Sequence, residues 1–208
     1  MKRIHNIFCV GRNYRLHAAE LGNEVPTSPM IFSKPTHSLV ETAGQVIELP
    51  GTKGEVHYEA ELVLHVARPY EAGVTLEQMV DQIALGIDWT LRDVQSVLKK
   101  NGHPWLLAKG FRNSAVITPF HPFPGVEAFE QTPFSLLKNG EPVQTGCVRD
   151  AIFDMMTLLS FISGNFGLQA GDIIYTGTPA GVGPVRDNDR FDLRWGDENW
   201  GSFTARLR

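Results

Sequence analysis

A β-rich, single-domain fold is what this sequence predicts, on three observations. Its 208 residues include 20 Gly and 13 Pro, a turn-rich composition that favours many short strands over a helical bundle. Apolar runs and period-two alternation recur along the chain, at Ile7–Val10, Val46–Leu49, Glu55–Val66 and the closing pair Phe191/Leu193/Trp195 and Phe203/Ala205/Leu207. The length buries a proper core without staples, and no repeat, linker or low-complexity tract divides residues 1–208.

Composition also excludes function classes. Net charge is −4 and the basic residues cluster nowhere beyond Lys99-Lys100, so nucleic acid is not an expected partner. The two cysteines, Cys9 and Cys147, make neither a disulfide framework nor a zinc spacing. The apolar run after Lys2 and Arg3 is too short for a signal peptide, and nothing approaches a membrane span; the expected location is cytoplasmic.

Taken in order, residues 4–10 predict an opening strand and 13–21 a short helix, with Asn13 as N-cap and Gly22 as stop. His17 and Glu20, three apart, share a face of that helix. Strands are expected at Met30–Lys34 and Val46–Leu49, then the long Glu55–Val66 strand. A helix over 75–83 leads into a buried strand, Ala84–Trp89. Thr90-Leu91-Arg92-Asp93 resembles a capping box opening a helix to Lys100, with Arg92, Gln95 and Lys99 off its apolar stripe. Trp105–Phe111 reads as a strand whose only charge is Lys109, either a snorkelling edge residue or a catalytic one. Residues 114–133 read as loop with an edge strand at Val116-Ile117. Phe134–Val143 is a hairpin turning on Asn139-Gly140. A helix runs over Asp154–Ser163, a strand over Ile173–Thr176, and a Gly-rich loop over 177–184 that lacks the Lys-Ser/Thr ending of a phosphate loop.

The Glu55–Val66 strand carries the chemistry. Val56, Tyr58, Ala60, Leu62, Leu64 and Val66 point one way; Glu55, His57, Glu59, Glu61, Val63 and His65 point the other. Carboxylates at i and i+2 on one face stand roughly 6–7 Å apart. In a cleft that pair calls for a hard cation such as Mg²⁺ or Mn²⁺; on an exposed strand it is only a solvated face.

Together these stretches resemble the fumarylacetoacetate hydrolase family, in its short single-domain branch of acylpyruvate and fumarylpyruvate hydrolases. The resemblance is carried by Val10-Gly11-Arg12-Asn13-Tyr14 with His17 and Glu20, Phe32-Ser33-Lys34-Pro35, and His57-Tyr58-Glu59-Ala60-Glu61-Leu62. It continues through Asp88-Trp89-Thr90-Leu91-Arg92-Asp93-Val94-Gln95, Pro104-Trp105-Leu106-Leu107-Ala108-Lys109 and Gly171–Pro179. It implies an α+β, mostly β fold, a mixed β-sheet roll with flanking helices, commonly a homodimer. It also implies that Glu59, Glu61 and Asp88 bind Mg²⁺ or Mn²⁺, and that Lys109 is an active-site lysine. His17 and Glu20 become a base and its orienter on a helix (13–21, within 1–35) that orders over the occupied site. Arg92, Gln95 and Thr178 are the expected substrate contacts, with Arg92 either a carboxylate fork or a structural ion pair.

The implied reaction is metal-dependent hydrolysis of the C3–C4 bond of 2,4-diketo acids, giving pyruvate and a carboxylic acid. Oxaloacetate decarboxylation or 2-keto acid isomerisation on the same site is the enzymatic alternative, and a non-catalytic metal-binding β-roll the alternative outside enzymes. Arg112 is the expected contact for a distal carboxylate on the acyl group.

Overall fold

The computed structural model describes residues 3–20, 22 and 24–208. The chain begins with β1 (Ile7–Gly11), α1 (Arg15–Glu20), β2 (Met30–Lys34), β3 (Leu39–Glu41) and β4 (Val46–Leu49). It continues with β5 (Val56–Tyr58), β6 (Ala60–Val66), α2 (Leu76–Met79), β7 (Val80–Asp88), β8 (Thr90–Leu91) and α3 (Arg92–Lys100). Next come α4 (Leu106–Lys109), β9 (Ala115–Ile117), β10 (His121–Pro122), α5 (Val126–Gln131), β11 (Phe134–Lys138) and β12 (Glu141–Gly146). The last third holds α6 (Met155–Phe166), β13 (Ile173–Tyr175), β14 (Gly183–Pro184), β15 (Arg190–Trp195) and β16 (Glu198–Leu207).

The strands form a mixed sheet in the order β2-β1-β13-β6-β7-β9-β3, with β10 beside β7. A five-stranded sheet, β12-β11-β15-β16-β4, and a small one, β14-β5-β8, complete the mostly β fold. The large sheet curls. Its concave side closes on Ile7, Cys9, Val63, Ala84, Ala115, Ile117, Ile173 and Tyr175, and residues from both edge strands, Phe32 and Leu39, reach the same cluster. Its other side packs on the main core, where Trp89 stands edge-on to the stacked Phe191 and Phe203 rings, with centroids at 5.4 and 6.3 Å. Both faces of β6 are therefore buried, which is why Glu61 does not stand on a solvated face.

The structure departs from several sequence expectations. Glu55–Val66 is two strands, not one: β5 pairs with β8 and β14, β6 with β13 and β7, and Glu59 lies at the break. There the Ala60 N–H donates to the Gln144 side chain (2.8 Å) instead of a neighbouring strand. The helix expected over 75–83 stops at Met79, because the buried face of Val80, Ile83 and Ala84 is recruited into the sheet. Thr90 caps nothing; α3 opens at Leu91 without a side-chain cap, and Asp93 accepts from the Glu55 and Val94 amides (3.0 and 2.9 Å).

Trp105–Phe111 is no strand. Residues 106–109 make the single turn α4, with Leu106 and Leu107 exposed and Lys109 buried. β9 is interior, between β7 and β3, not an edge. The segment 114–133 contains α5, whose Phe129 is fully buried. Asn13 does not cap α1; its side chain accepts from the Phe153 amide (2.9 Å) and donates to the Thr176 carbonyl (2.9 Å). Leu21, the expected helix end, lies outside the described residues. The Asn139-Gly140 turn does form, at φ +55° and +88°, values a type I′ turn requires. Asp154 caps α6 by accepting from the Thr157 amide at 2.7 Å, worth about 1 kcal/mol. Among the described residues no helix is long and apolar enough to cross a membrane.

Candidate active site

Three carboxylates converge at one mouth of the roll. Glu59 comes from the β5–β6 break, Glu61 from β6 and Asp88 from the end of β7, which pairs with β6 so that the three meet. One oxygen from each lies within 4.8 Å of the others, and all three residues are buried. Like charges at that spacing repel by about 3 kcal/mol per pair at an effective dielectric of about 20, so compensation is required.

Part of it comes from cations. Lys109, brought in by α4, donates to Glu59 Oε2 (2.7 Å) and Asp88 Oδ2 (2.5 Å), and its ammonium stands 4.9 Å from the Phe32 ring centroid. Arg92 donates through Nη2 to Glu59 Oε1 and through Nη1 to Gln95 Oε1 (2.8 Å). Lys34, at the end of β2, lies 2.7 Å from Asp88 Oδ1 and donates to the carbonyls of Trp89 and Lys109. The charges of Lys109 and Arg92 hold Glu59 well below the usual carboxylate range despite its burial. Lys109 is held above the ordinary lysine value by Asp88 and Glu59, against the pull of its own burial.

Among the described residues Glu61 has no cationic hydrogen-bond partner. It accepts the Gly177 N–H at 2.7 Å, yet burial first, then the charges of Asp88 and Glu59, push its carboxyl well above the ordinary value. A desolvated carboxyl flanked by two carboxylates is a position that a divalent cation relieves. An all-oxygen donor set suits Mg²⁺ or Mn²⁺ and not zinc. The residues present therefore fit such an ion, with Glu59, Glu61 and Asp88 as its holders.

Facing the trio, His17 from α1 is buried and its Nδ1 lies 3.4 Å from Glu20 Oε2. Burial lowers the His17 pKa from its ordinary 6.5, and the nearby Glu59 and Glu20 carboxylates oppose that. The imidazole is thus kept neutral and able to accept a proton. Glu20 also accepts the Gly181 amide (3.1 and 3.3 Å), latching α1 to the Gly-rich loop.

One cleft collects His17, Glu59, Glu61, Asp88, Arg92, Gln95, Lys109 and Thr178. Glu20 stands beside it through His17. Thr178 is there, but its hydroxyl proton is committed to the Ala60 carbonyl (2.8 Å) while its oxygen accepts from Gln144 (2.9 Å). Arg112 does not join them; it lines a separate cleft with Pro35, His37, Ser38 and Gly110, so its expected role is withdrawn. His57 and His65 turn away, to Glu55 (2.8 Å) and Asp81 (2.5 Å). Sequence reasoning missed Lys34, Gln144 and Arg12. Lys34 had a signal, a charge closing an apolar strand; Gln144, which ties Ala60 to Thr178 and Pro179, had none.

Residues 6–207 match the family model described as fumarylacetoacetate (FAA) hydrolase C-terminal. The Escherichia coli (strain K12) oxaloacetate tautomerase YcgM is 37% identical over 199 residues, covering 91% of this chain and 88% of that protein. The mitochondrial oxaloacetate decarboxylase of Dictyostelium discoideum is 36% identical over 183 residues, covering 86% and 84%. The Pseudomonas aeruginosa fumarylpyruvate hydrolase, crystallised with Mn²⁺ and pyruvate, superposes with a TM-score of 0.89 at 32% identity, covering 99% of this chain and 91% of that one. The chain belongs to the fumarylacetoacetate hydrolase C-terminal family.

Proposed function

We propose that this protein is a divalent-metal-dependent enzyme that makes and quenches enolates of small 2-keto acids, with the keto–enol interconversion of oxaloacetate as its main reaction. The observation that carries this reading is the buried trio Glu59, Glu61 and Asp88 set against Lys109 and Arg92, with His17 across the same cleft. Sequence identity to relatives named as acting on oxaloacetate supports that substrate over the acylpyruvates that the family resemblance put first.

Mg²⁺ or Mn²⁺ held by the trio supplies Lewis-acid polarisation of the carboxylate and 2-keto oxygens of a keto acid. Lys109 adds fixed positive charge beside the oxygen on which negative charge develops. Arg92, already braced by Glu59 and Gln95, presents the rest of its guanidinium to the cleft; its Nε is buried without a partner among the described residues. Neutral His17 accepts the C3 proton of the keto form, and protonation of the oxygen completes the enol; the reverse path returns the proton to C3. Glu20 orients the imidazole and steadies its charged form.

Hydrolysis is a second reading, favoured by the His17–Glu20 pair and the close fold match to a fumarylpyruvate hydrolase. With an acyl group at C4, His17 takes a proton from water attacking C4. The C3–C4 bond then breaks, and the departing pyruvate enolate is protonated at C3. Residues 1–208 acting as one catalytic domain, paired as a homodimer, complete the proposal, and sedimentation tests the pairing.

Decay of enol-oxaloacetate absorbance with Mg²⁺ or with EDTA tests the main reaction. Metal-dependent acceleration is expected. Acceleration untouched by EDTA, or none with metal, contradicts it, and pyruvate release from acetylpyruvate would move hydrolysis to first place.

A further inference from the structure

The floor of the cleft and its mouth differ in charge. All three carboxylates that line the cleft belong to the floor trio, where Lys109, Arg92 and the Gly177 amide engage them. The mouth is lined by Arg12 and Lys99. Lys99 is one turn beyond Gln95 on α3, so Arg92, Gln95 and Lys99 fall on one helix face. Arg12 follows β1 and sits at φ +57°, a left-handed conformation that an arginine adopts only at a cost. Strain of this kind concentrates where a side chain must be aimed. Among the described residues the Arg12 guanidinium has no carboxylate partner. Arg12 and Arg92 each act to lower the Lys99 pKa, behind burial as the main cause, and all three side chains line the same cleft.

Arg12, on a left-handed backbone and paired with no carboxylate among the described residues, can take an anion in the cleft with the Lys99 charge beside it. We infer that Arg12 and Lys99 form a second carboxylate subsite, which makes this a site for dicarboxylic 2-keto acids: the keto-acid end lies on the floor and the distal carboxylate on Arg12 and Lys99. This rests on the proposed keto-acid function. It replaces the role that sequence reasoning gave to Arg112.

The test compares oxaloacetate with its 4-ethyl ester, which keeps the reacting centre and removes the distal charge. Both are measured with Mn²⁺-loaded wild type, Arg12→Gln, Lys99→Gln and, as a control outside the cleft, Arg112→Gln. A charge-assisted hydrogen bond lost at this subsite should cost oxaloacetate about tenfold in kcat/KM, mostly through KM. The ester should change by less than about twofold, and Arg112→Gln should change neither. Equal losses on acid and ester, or none on either, overturn the subsite. Calorimetric binding of the two ligands separates this inference from the reaction on which it rests. A wild-type preference for the diacid that vanishes in Arg12→Gln upholds the subsite even if neither compound turns over. A wild type that binds both equally overturns it.

Discussion

The two walls of the cleft are built in opposite ways. One is the end of the roll: Glu61 and Asp88 stand on buried stretches of β6 and β7, Glu59 is buried at the β5–β6 break, and Gly177, Lys109, Lys34 and Arg92 fix their oxygens. The other is α1, six residues long, anchored by fully buried Ala18 and by the Glu20–Gly181 latch, with Leu16 exposed beside it. Rigid placement of charge suits a wall that holds an ion and a developing enolate. A short, lightly anchored helix suits the proton-handling group, which has to admit and release the substrate. The first wall should therefore fail by losing its ion, and the second by losing rate alone.

The largest effect is expected from Asp88→Asn. Outer contacts to a metal commonly cost 10–100-fold in affinity, so removing a ligand should cost at least about 100-fold, with activity falling alongside and the far-UV circular dichroism unchanged. Unaltered Mn²⁺ affinity by calorimetry would break the division between the walls from the first side. Next comes His17→Ala. Turnover should fall by about 10²–10⁴ while Mn²⁺ affinity stays near that of the wild type; a weaker metal site would mean that α1 belongs to the rigid wall.

Smaller changes sharpen the contrast. Glu20→Gln should cost about tenfold in turnover, the scale of one charge-assisted hydrogen bond. It should also move the acid limb of the pH profile. Burial lowers the His17 pKa below 6.5, so the wild-type kcat/KM should fall only on acidification below that value. The Glu20 charge and hydrogen bond raise the same pKa, so removing them shifts the limb to still lower pH. A limb that moves upward contradicts the geometry.

The smallest expected effect is on stability. Gly177 sits at φ +104° with a virtual Cβ only 2.7 Å from Asn13 Cβ. Gly177→Ala should cost about 1–3 kcal/mol, a drop in Tm of roughly 2–4 °C per kcal/mol at this size.

How much of this could be read from residues depended on what was local. A period-two pattern placed β4 at its observed bounds, because a half-buried strand writes its burial into alternation, and the flanking Pro29 and Pro35 bounded β2. The i,i+3 spacing of His17 and Glu20 put both on one face of α1, because a helix turns every 3.6 residues. Trp105–Phe111 misled, because an apolar run does not distinguish a strand from a helical turn when Leu106 and Leu107 stay exposed. The break at Glu59 was invisible, since it depends on Gln144, 84 residues away in β12. The distal-anion candidate failed likewise: Arg112 and Arg12 look alike in sequence, and only the fold puts Arg12 in the cleft.

The central claim is that the carboxylate trio is a metal centre on which the chemistry depends. Its most direct test is a titration of Mn²⁺ into EDTA-treated protein, with bound metal and enol-oxaloacetate decay read in the same samples. The account expects activity to rise in proportion to occupancy, to saturate at about one ion per chain, and to be absent in Asp88→Asn. Full activity before any Mn²⁺ is added, or full occupancy without activity towards any 2-keto acid, would contradict it.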